Sequence, residues 1–270
     1  MDYNHSLKAG NLGDVWKHFV LMELANAIAK ASDKFCYAES HCGAPIHELI
    51  DRGEWTIGIG KISENTSCDF EYLSVAREWL QTKQYPAGWV FMASQLAKRF
   101  TEVEVELFDT SDEVASTYPP ARDMRIPGST KIEFRQEDGY AAMKKLAGPD
   151  LVFLDPPFHP DAKSDWRLLA HVCTSLSSRH TDFVAWYPFY WHTKPQELSN
   201  RTKALAWEVH WASCGPKPSQ NLKGCGMLVS NNLVSIMQNL QTELSRMAGC
   251  MQSELFIRQP VEQSHSQGRS

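Results

Sequence analysis

The sequence predicts an α/β fold built on an open, doubly wound and mostly parallel sheet, and three stretches support this prediction. Leu151–Leu154 is a short apolar run, which is typical of a strand buried on both faces of a parallel sheet. Glu102–Phe108 alternates with period two, as a strand does. Lys34–Glu39 has strand character and leads into the Gly-bearing loop Ser40–Pro45. Because ligands bind at the carboxyl ends of strands in such sheets, the residues after these strands are the first candidates for a site.

Composition bounds the class of protein. The chain has 270 residues, 43% of them hydrophobic and 22% charged, which suits one large domain with a sizeable core. A formal net charge of −5 weighs against tight non-specific binding to long duplexes, although it allows a local basic groove. Cysteine occurs 7 times without a C-x-x-C pair, which predicts reduced thiols rather than a disulfide framework or a thiolate zinc site. With no membrane-span-like apolar run and no secretory core, we expect a cytoplasmic protein, and we expect a monomer.

The N-terminal part predicts a polar arm, a helix and an insertion. Tyr3 and His5 belong to the arm, and Asp14 is the predicted N-cap of the first long helix. Residues 47–85 have mixed character, and we interpret them as an insertion that caps one face of a domain spanning residues 1–258. The elements predicted here are a helix at Asp14–Lys30, an extended segment at Glu54–Ile62, a helix at Asp69–Leu80, a turn at Tyr85–Gly88 and a helix at Trp89–Phe100.

The rest of the chain predicts alternating strands and helices, which is the order of an α/β domain. The last two strands are expected to form an antiparallel hairpin around the loop Ser213–Gly224, and residues 259–270 predict a disordered polar tail. The further elements predicted are strands at Lys131–Gln136, Asp182–Trp186, Ala204–Trp211 and Gly226–Val229, and helices at Ser164–Ser177 and Val234–Met247.

The stretch Asp155–Phe158, with the sequence DPPF, carries the most informative chemistry. Its prolines cannot continue a strand ladder, so the Asp155 carboxylate, the Pro156 carbonyl and the Phe158 ring are placed at a strand end. Such a set suits an exocyclic amine on a flat heterocycle, since its two N–H groups donate to the oxygens while the ring stacks. The amine of adenine is a poor nucleophile, and holding it in line with an electrophilic methyl group would promote attack. The alternative is that Asp-Pro-Pro only ends a strand.

Other polar residues have two interpretations each on the sequence alone. Asp109 ends a strand and suits a bond to ribose hydroxyls, or it caps the next helix. Asp138 precedes a glycine and can accept from an adenine amine, or it belongs to a plain turn. Lys17 and His18 begin a helix close to the polar arm, and they either contribute to a site or are simply solvated.

Short blocks spread over residues 3–232 resemble one known family. They are YNHSLKAGNLGDVWKH at Tyr3–His18, SHCGAP at Ser40–Pro45, GEW at Gly53–Trp55, YP at Tyr85–Pro86, EDG at Glu137–Gly139, LDPPF at Leu154–Phe158, AWYP at Ala185–Pro188 and GCGMLVSN at Gly224–Asn231. Through them the chain resembles the RlmJ family, bacterial enzymes that methylate the exocyclic amine of one adenine in large-subunit ribosomal RNA. That family also carries an older label that links it to catabolism of external DNA.

The resemblance implies a class I S-adenosylmethionine-dependent methyltransferase fold, Rossmann-like with an antiparallel terminal hairpin. It implies S-adenosyl-L-methionine as cofactor and large-subunit ribosomal RNA as partner. No metal is expected, since the histidines show no ligand spacing and methyl transfer from a sulfonium needs no Lewis acid. Asp155, Pro156 and Phe158 would be catalytic, and Tyr3 and His5 would bind the substrate. The cofactor would be bound by Lys17, His18, His41, Gly43, Gly88, Asp109, Asp138, Gly139 and Asp155.

The chain departs from the family at several of these positions. Pro45 stands where a glycine is expected, Gly88 where a serine is expected, Asp109 replaces a glutamate, and Phe158 replaces a tyrosine. Proline removes an N–H and fixes φ in the cofactor loop. Two further hypotheses therefore stay open beside RNA adenine methylation: methylation of DNA adenine, and a non-catalytic RNA-binding relative with a decayed cofactor loop.

Overall fold

A computed structural model describes residues 5–118, 124–158, 163–189, 193–211 and 223–261. Its centre is an 8-stranded sheet, and a separate ladder has 2 strands. The strands are β1 (Lys34–Glu39), β2 (Ile46–Glu48), β3 (Gln84–Pro86), β4 (Glu102–Asp109), β5 (Ser129–Gln136), β6 (Leu151–Leu154), β7 (Asp182–Phe189), β8 (Leu205–Trp211), β9 (Gly224–Val229) and β10 (Ser253–Arg258).

The order of the large sheet is β10-β8-β9-β7-β6-β1-β4-β5. Strands β5, β4, β1, β6 and β7 run parallel to one another, whereas β9 runs antiparallel to both β7 and β8. The predicted mostly parallel sheet with an antiparallel terminal hairpin is therefore confirmed. From β1 the chain proceeds outward to β4 and β5 and then returns to β6 on the other side of β1. This is a topological switch point, where such sheets bind ligands.

Strand β10 was not predicted. It pairs antiparallel with β8 at the edge of the sheet, from Ser253 opposite Trp211 to Arg258 opposite Ala206. Its alternating sequence, SELFIR, is a strand signal that the sequence interpretation passed over.

Helices cover both faces of the sheet and bury two apolar layers. One layer packs around α2 and includes Trp16, Phe19 and Phe153; the other lies under α8 and includes Val152 and Leu154. The helices are α1 (His5–Lys8), α2 (Leu12–Ala27), α3 (Ile59–Ser63), α4 (Glu71–Leu80), α5 (Gly88–Leu96), α6 (Asp112–Ser116), α7 (Gly139–Lys145), α8 (Lys163–Ser178), α9 (Thr193–Thr202), α10 (Val234–Asn239) and α11 (Gln241–Cys250). Strand β6 is thus buried on both faces, as its four apolar residues predicted.

Three local predictions were wrong. Asp14 does not cap α2: the cap is Asn11, whose side chain accepts from the Asp14 N–H at 3.0 Å. Glu54–Ile62 is not extended: it forms a 3-10 turn at Glu54–Thr56 and the start of α3, where the Ile59 N–H donates to the Gly10 carbonyl at 2.8 Å. The helix predicted at Val234–Met247 is instead divided into α10 and α11 at Leu240. Residues 46–86, close to the predicted insertion, comprise β2, a 3-10 turn, α3, α4 and β3. The predicted limits of the domain and of the insertion stay predictions.

The prediction that all cysteines are reduced was also wrong, because the structure joins Cys68 to Cys250. Cys68 precedes α4 and Cys250 ends α11. The bond spans 182 residues of sequence, so no local spacing reveals it. Among the described residues, Cys36, Cys42, Cys173 and Cys225 are free thiols. The described part of the chain contains no helix that is long and apolar enough to cross a membrane.

Candidate functional site

A cavity of about 250 Å³ opens at the carboxyl ends of β1, β4 and β6, at the switch point of the sheet. Helices α2 and α5 close it from one side. The predicted site residues that line it are Lys17, His18, His41, Gly43, Gly88, Asp109, Asp155 and Pro156. The sequence predictions therefore converge on one cavity, although their positions are spread over the first 156 residues of the chain.

Asp155 lies in an ion-pair cluster with Lys17 and Asp14. The Lys17 Nζ donates to Asp155 Oδ2 at 2.7 Å and lies 2.8 Å from Asp14 Oδ1. The side chains of Lys17 and Asp155 are each only 14% exposed. Burial raises the pKa of Asp155, and Lys17 opposes that rise. Burial acts against the charged form of Lys17, but Asp14 and Asp155 outweigh it and hold its pKa well above the ordinary value.

The cluster gives Lys17 a partner other than the predicted one. We expected its ammonium group to meet a cofactor carboxylate, and in the structure it lies between two protein carboxylates. Asp14 is further fixed by the Gly10 N–H, which donates to its Oδ2 at 2.8 Å. The sequence prediction missed Asp14 as a member of the site, although it lies three residues before Lys17 and therefore on the same helix face.

Trp186 is a second residue that the prediction did not include. In the parallel register, Leu154 lies opposite Ala185, so the next residues on the two strands, Asp155 and Trp186, are neighbours. Trp186 lines the cavity, and the Lys17 Nζ lies 5.4 Å from the centre of its ring. The signal was the AWYP block, which lies within β7 and places Trp186 beside Asp155.

Phe158 lies behind the cavity. Its side chain is buried at 6% exposure, with the ring centre 4.9 Å from that of Trp166 and 6.0 Å from that of Trp186. The backbone of Phe158 has φ of +43°, a left-handed conformation that is uncommon for an aromatic residue. Pro156 and Pro157 line the cavity instead. Stacking of Phe158 on a substrate base stays a prediction, and it would require the ring to move.

His18 is a buried, hydrogen-bonded histidine at the wall of the cavity. Its Nδ1 lies 2.9 Å from the Tyr85 hydroxyl, which in turn lies 2.6 Å from the Tyr72 hydroxyl. Burial lowers the pKa of His18 to about 3, and the nearby Lys17 lowers it too, so the ring is neutral near pH 7. A Cβ on Gly88 would lie 3.1 Å from the His18 ring. The glycine therefore allows the first residue of α5 to pack closely against the His18 ring.

The loop after β1 is tied to the end of β4. Asp109 accepts from the Gly43 N–H at 3.2 Å and from the Ser111 N–H at 3.0 Å. Ser111, and not Asp109, caps the following helix α6. His41 Nδ1 lies 2.7 Å from the Ser40 hydroxyl, and burial lowers the pKa of His41 to about 4. Neutral polar groups and one carboxylate thus face this side of the cavity.

Asp138 and Gly139 lie beside the cavity rather than on its wall. Asp138 is exposed and caps α7 by accepting from the Ala141 N–H at 2.8 Å. A Cβ on Gly139 would overlap the Ser40 carbonyl, so α7 approaches the β1 loop as closely as a glycine permits. The carbonyl of Pro45 accepts from the Ala87 N–H at 3.0 Å and so helps to position the start of α5.

The remaining predicted positions contribute less. Tyr3 lies outside the described residues, and of His5 only the backbone, in α1, is described. Glu39, which the prediction used only as a strand end, is buried in the cavity wall and accepts from the Tyr37 hydroxyl at 2.6 Å. Burial raises its pKa well above the ordinary value. The described residues contain no group of three or more His, Cys, Asp or Glu side chains arranged to hold a metal ion.

Comparison with known proteins supports the resemblance that the sequence blocks indicate. The chain is 22% identical to ribosomal RNA large subunit methyltransferase J of Escherichia coli over 251 residues, which cover 86% of this chain and 87% of that protein. It is 24% identical to the Haemophilus influenzae protein of the same name over 205 residues, 70% of each chain. No protein-family model matches the chain.

A solved structure supports the fold. The crystal structure of protein LPL1258 from Legionella pneumophila superposes with a TM-score of 0.74 and 20% sequence identity, covering 94% of this chain and 99% of that one. The resemblance to the RlmJ family is therefore confirmed. Together with the sheet order, it gives the chain the class I methyltransferase fold that we predicted.

Proposed function

We propose that this protein transfers a methyl group from S-adenosyl-L-methionine to the exocyclic N6 amine of an adenine in large-subunit ribosomal RNA. The observation that carries the proposal is the position of Asp155: it ends β6 at the switch point, borders the cavity, and has Pro156 beside it. The substrate class comes from the two relatives, both of which are named ribosomal RNA large subunit methyltransferase J.

The β1 loop and the end of β4 fit the cofactor. Gly43 adopts φ of +61°, and a Cβ there would meet nothing within 4 Å, so this backbone faces open space. Asp109 is held with its carboxylate at the same wall, where it suits the ribose hydroxyls of a nucleoside. We infer that His41, Gly43, Gly88 and Asp109 hold the cofactor. When bound, S-adenosylmethionine supplies an electrophilic methyl group on a sulfonium ion.

Asp155 is oriented to hold the target amine. Its Oδ2 is occupied by Lys17, while its Oδ1 has no hydrogen bond with any described residue. One N–H of the amine would donate to that Oδ1, and the other to the Pro156 carbonyl. Transfer would break the bond between the sulfonium sulfur and the methyl group and release S-adenosylhomocysteine, and the Asp155 carboxylate would accept the proton that the amine loses. Because burial raises the pKa of Asp155, the carboxylate is a stronger base than an exposed aspartate.

The base must leave its stack to reach this cavity. Helix α1 leads from the N-terminal arm to the cavity mouth, which Lys8 and Ala9 help to line. Tyr3 and His5, which precede or begin α1, are proposed to contact the RNA where the target base enters the cavity.

Calorimetric titration with S-adenosylhomocysteine tests the cofactor site. We expect binding, and we expect Asp155→Ala to retain it while losing methyl transfer to unmethylated large-subunit ribosomal RNA. A folded protein that binds none of the ligand would favour the alternative, a non-catalytic RNA-binding relative. RNA and DNA of identical sequence, tested side by side, separate RNA methylation from DNA methylation, since only RNA offers 2′-hydroxyls.

A further inference from the structure

Helices α8 and α9 enclose a second cavity, a groove of about 550 Å³ on the sheet face opposite α2. It shares no residue with the catalytic cavity. The residues that line it are Arg167, Leu168, Ala170, His171, Thr174 and Arg201. We call this cavity the α8–α9 groove.

Two arginines, Arg167 and Arg201, are the charged residues that line the groove, and no acidic residue lines it. Arg167, His171 and Arg201 are all exposed. Among the described residues, neither guanidinium group has an ion pair or a hydrogen bond. Arg167 and His171 are four residues apart, so both side chains project from the same face of α8.

Other arginines in this half of the molecule are used by the fold. Arg179, at the end of α8, donates to the carbonyls of Leu146 and Met143 at 2.8 and 2.6 Å. Arg258 donates to the buried Glu208 carboxylate at 2.8 Å. The groove arginines have no such structural task, and they expose their donors to whatever lies in the groove.

The position of the groove connects it to the catalytic edge. Helix α8 begins at Lys163, eight residues after Asp155, and α9 begins at Thr193, four residues after β7. Both helices therefore start near the carboxyl edge of the sheet, where the target base would enter. A strand of RNA that leaves the catalytic cavity on this side would pass over Arg167 first.

We propose that the α8–α9 groove binds the phosphate backbone of the RNA substrate next to the methylated nucleotide. This inference rests on the function proposed above. A chain with a net charge of −5 repels RNA at long range, so its attraction for phosphates must come from local basic surfaces. Guanidinium groups suit phosphate because their N–H donors match its oxygens in pairs.

The test compares the wild type with the double variant Arg167→Gln/Arg201→Gln. The control is Arg246→Gln, which removes one positive charge, half of the change in the double variant, from the exposed side of α11 on the other face of the sheet. The probe is large-subunit ribosomal RNA transcribed in vitro, bound at 50, 100 and 200 mM KCl. S-adenosylhomocysteine affinity and the initial rate of methyl transfer are measured on the same preparations.

We expect the double variant to reduce the slope of log K against log salt by about 1.4 to 1.8, since each lost phosphate contact accounts for about 0.7 to 0.9. Its RNA affinity at 100 mM KCl should fall at least about fivefold, with S-adenosylhomocysteine affinity unchanged. If the double variant keeps the wild-type RNA affinity and salt slope and still transfers methyl groups, the proposed role of the α8–α9 groove is wrong, but the proposed function is not affected. An equal loss in Arg246→Gln would also overturn it, and a wild type that neither binds nor methylates the RNA would overturn the proposed function as well.

Discussion

Replacing Lys17 by methionine tests how the site keeps Asp155 ionised. Lys17 lies 2.7 Å from Asp155 and 2.8 Å from Asp14, and its side chain is 14% exposed. Methionine has a similar length and no charge, so Lys17→Met leaves two nearly buried carboxylates without their cation. Removing one partner of a buried pair costs about 3–5 kcal/mol. Because protonation of a carboxylate relieves this cost, we expect the pKa of Asp155 to rise further above its ordinary value in Lys17→Met.

The direction of the pH effect follows from the charges. Burial already raises the pKa of Asp155, and Lys17 is the main influence that lowers it. Without Lys17 the folded-state pKa lies further above the unfolded value. The resulting loss of stability begins as the pH rises above the unfolded-state pKa and is complete above the raised folded-state pKa, and it disappears again as the pH falls through the same range. Methyl transfer needs the ionised form, so the loss of rate in Lys17→Met should be greater at pH 6 than at pH 8.5.

The assay is the pH dependence of kcat at saturating RNA and cofactor, together with urea unfolding at the same pH values. Lys98→Met is the matched control: Lys98 lies 2.7 Å from Glu71, but both side chains are 47% exposed. Such a surface pair contributes at most about 1 kcal/mol. If the acid limb of the pH–kcat profile does not shift in Lys17→Met, and the loss of stability is no greater than in Lys98→Met, then Lys17 does not lower the pKa of Asp155 as described here.

Three further substitutions probe other parts of the structure. Burial lowers the pKa of His18 to about 3, so the neutral ring stabilises the fold above about pH 6.5 and this stabilisation is lost as the pH falls. Between pH 7.5 and 5, the free energy of unfolding measured in urea should therefore fall by about 2 kcal/mol more in the wild type than in His18→Asn. Cys250→Ser opens a link across 182 residues and should lower the free energy of unfolding by about 2–5 kcal/mol, as a reductant should in the wild type but not in the variant. Gly139→Ala places a Cβ against the Ser40 carbonyl and should cost about 1–3 kcal/mol, with weaker S-adenosylhomocysteine binding by calorimetry; unchanged binding would separate α7 from the cofactor site.

The sequence predicted the central sheet well because its signals are local. The apolar run of β6, the alternation of β4 and the loop after β1 each lie within a few residues. The carboxyl ends of these strands meet at one edge, so Asp109 and Asp155 line the same cavity, while their roles there stay predictions. Strand β10 carries the same kind of local signal, in weaker form.

Contacts between distant segments could not be predicted in this way. Lys17 and Asp155 are separated by 138 residues, and Cys68 and Cys250 by 182. No spacing rule reveals either pair, because each forms only when α2 packs on the sheet or when α11 closes against the segment before α4. Phe158 illustrates a related limit: the sequence places it after a strand, but the left-handed backbone there turns its ring into the core.

One block that resembles the family serves the sheet rather than the cavity. Gly226, in the GCGMLVSN block, lies so close to the Tyr187 ring that a Cβ would overlap it. That ring can therefore lie across β9, where its hydroxyl donates to the buried Glu208 at 2.7 Å. Arg258 of β10 binds the same carboxylate and ties the edge strand to the sheet. A resemblance in sequence thus marks structural positions as well as functional ones.

In the proposed reaction, Asp155 directs a methyl group to the N6 atom of adenine in ribosomal RNA. The most direct test of this reaction is mass spectrometry of nucleosides from unmethylated large-subunit ribosomal RNA after incubation with S-adenosylmethionine and either the wild type or Asp155→Asn. We predict N6-methyladenosine with the wild type, and at least about a hundredfold less with a folded variant that still binds S-adenosylhomocysteine. Methylation of another nucleoside, or undiminished N6-methyladenosine with Asp155→Asn, would contradict the account.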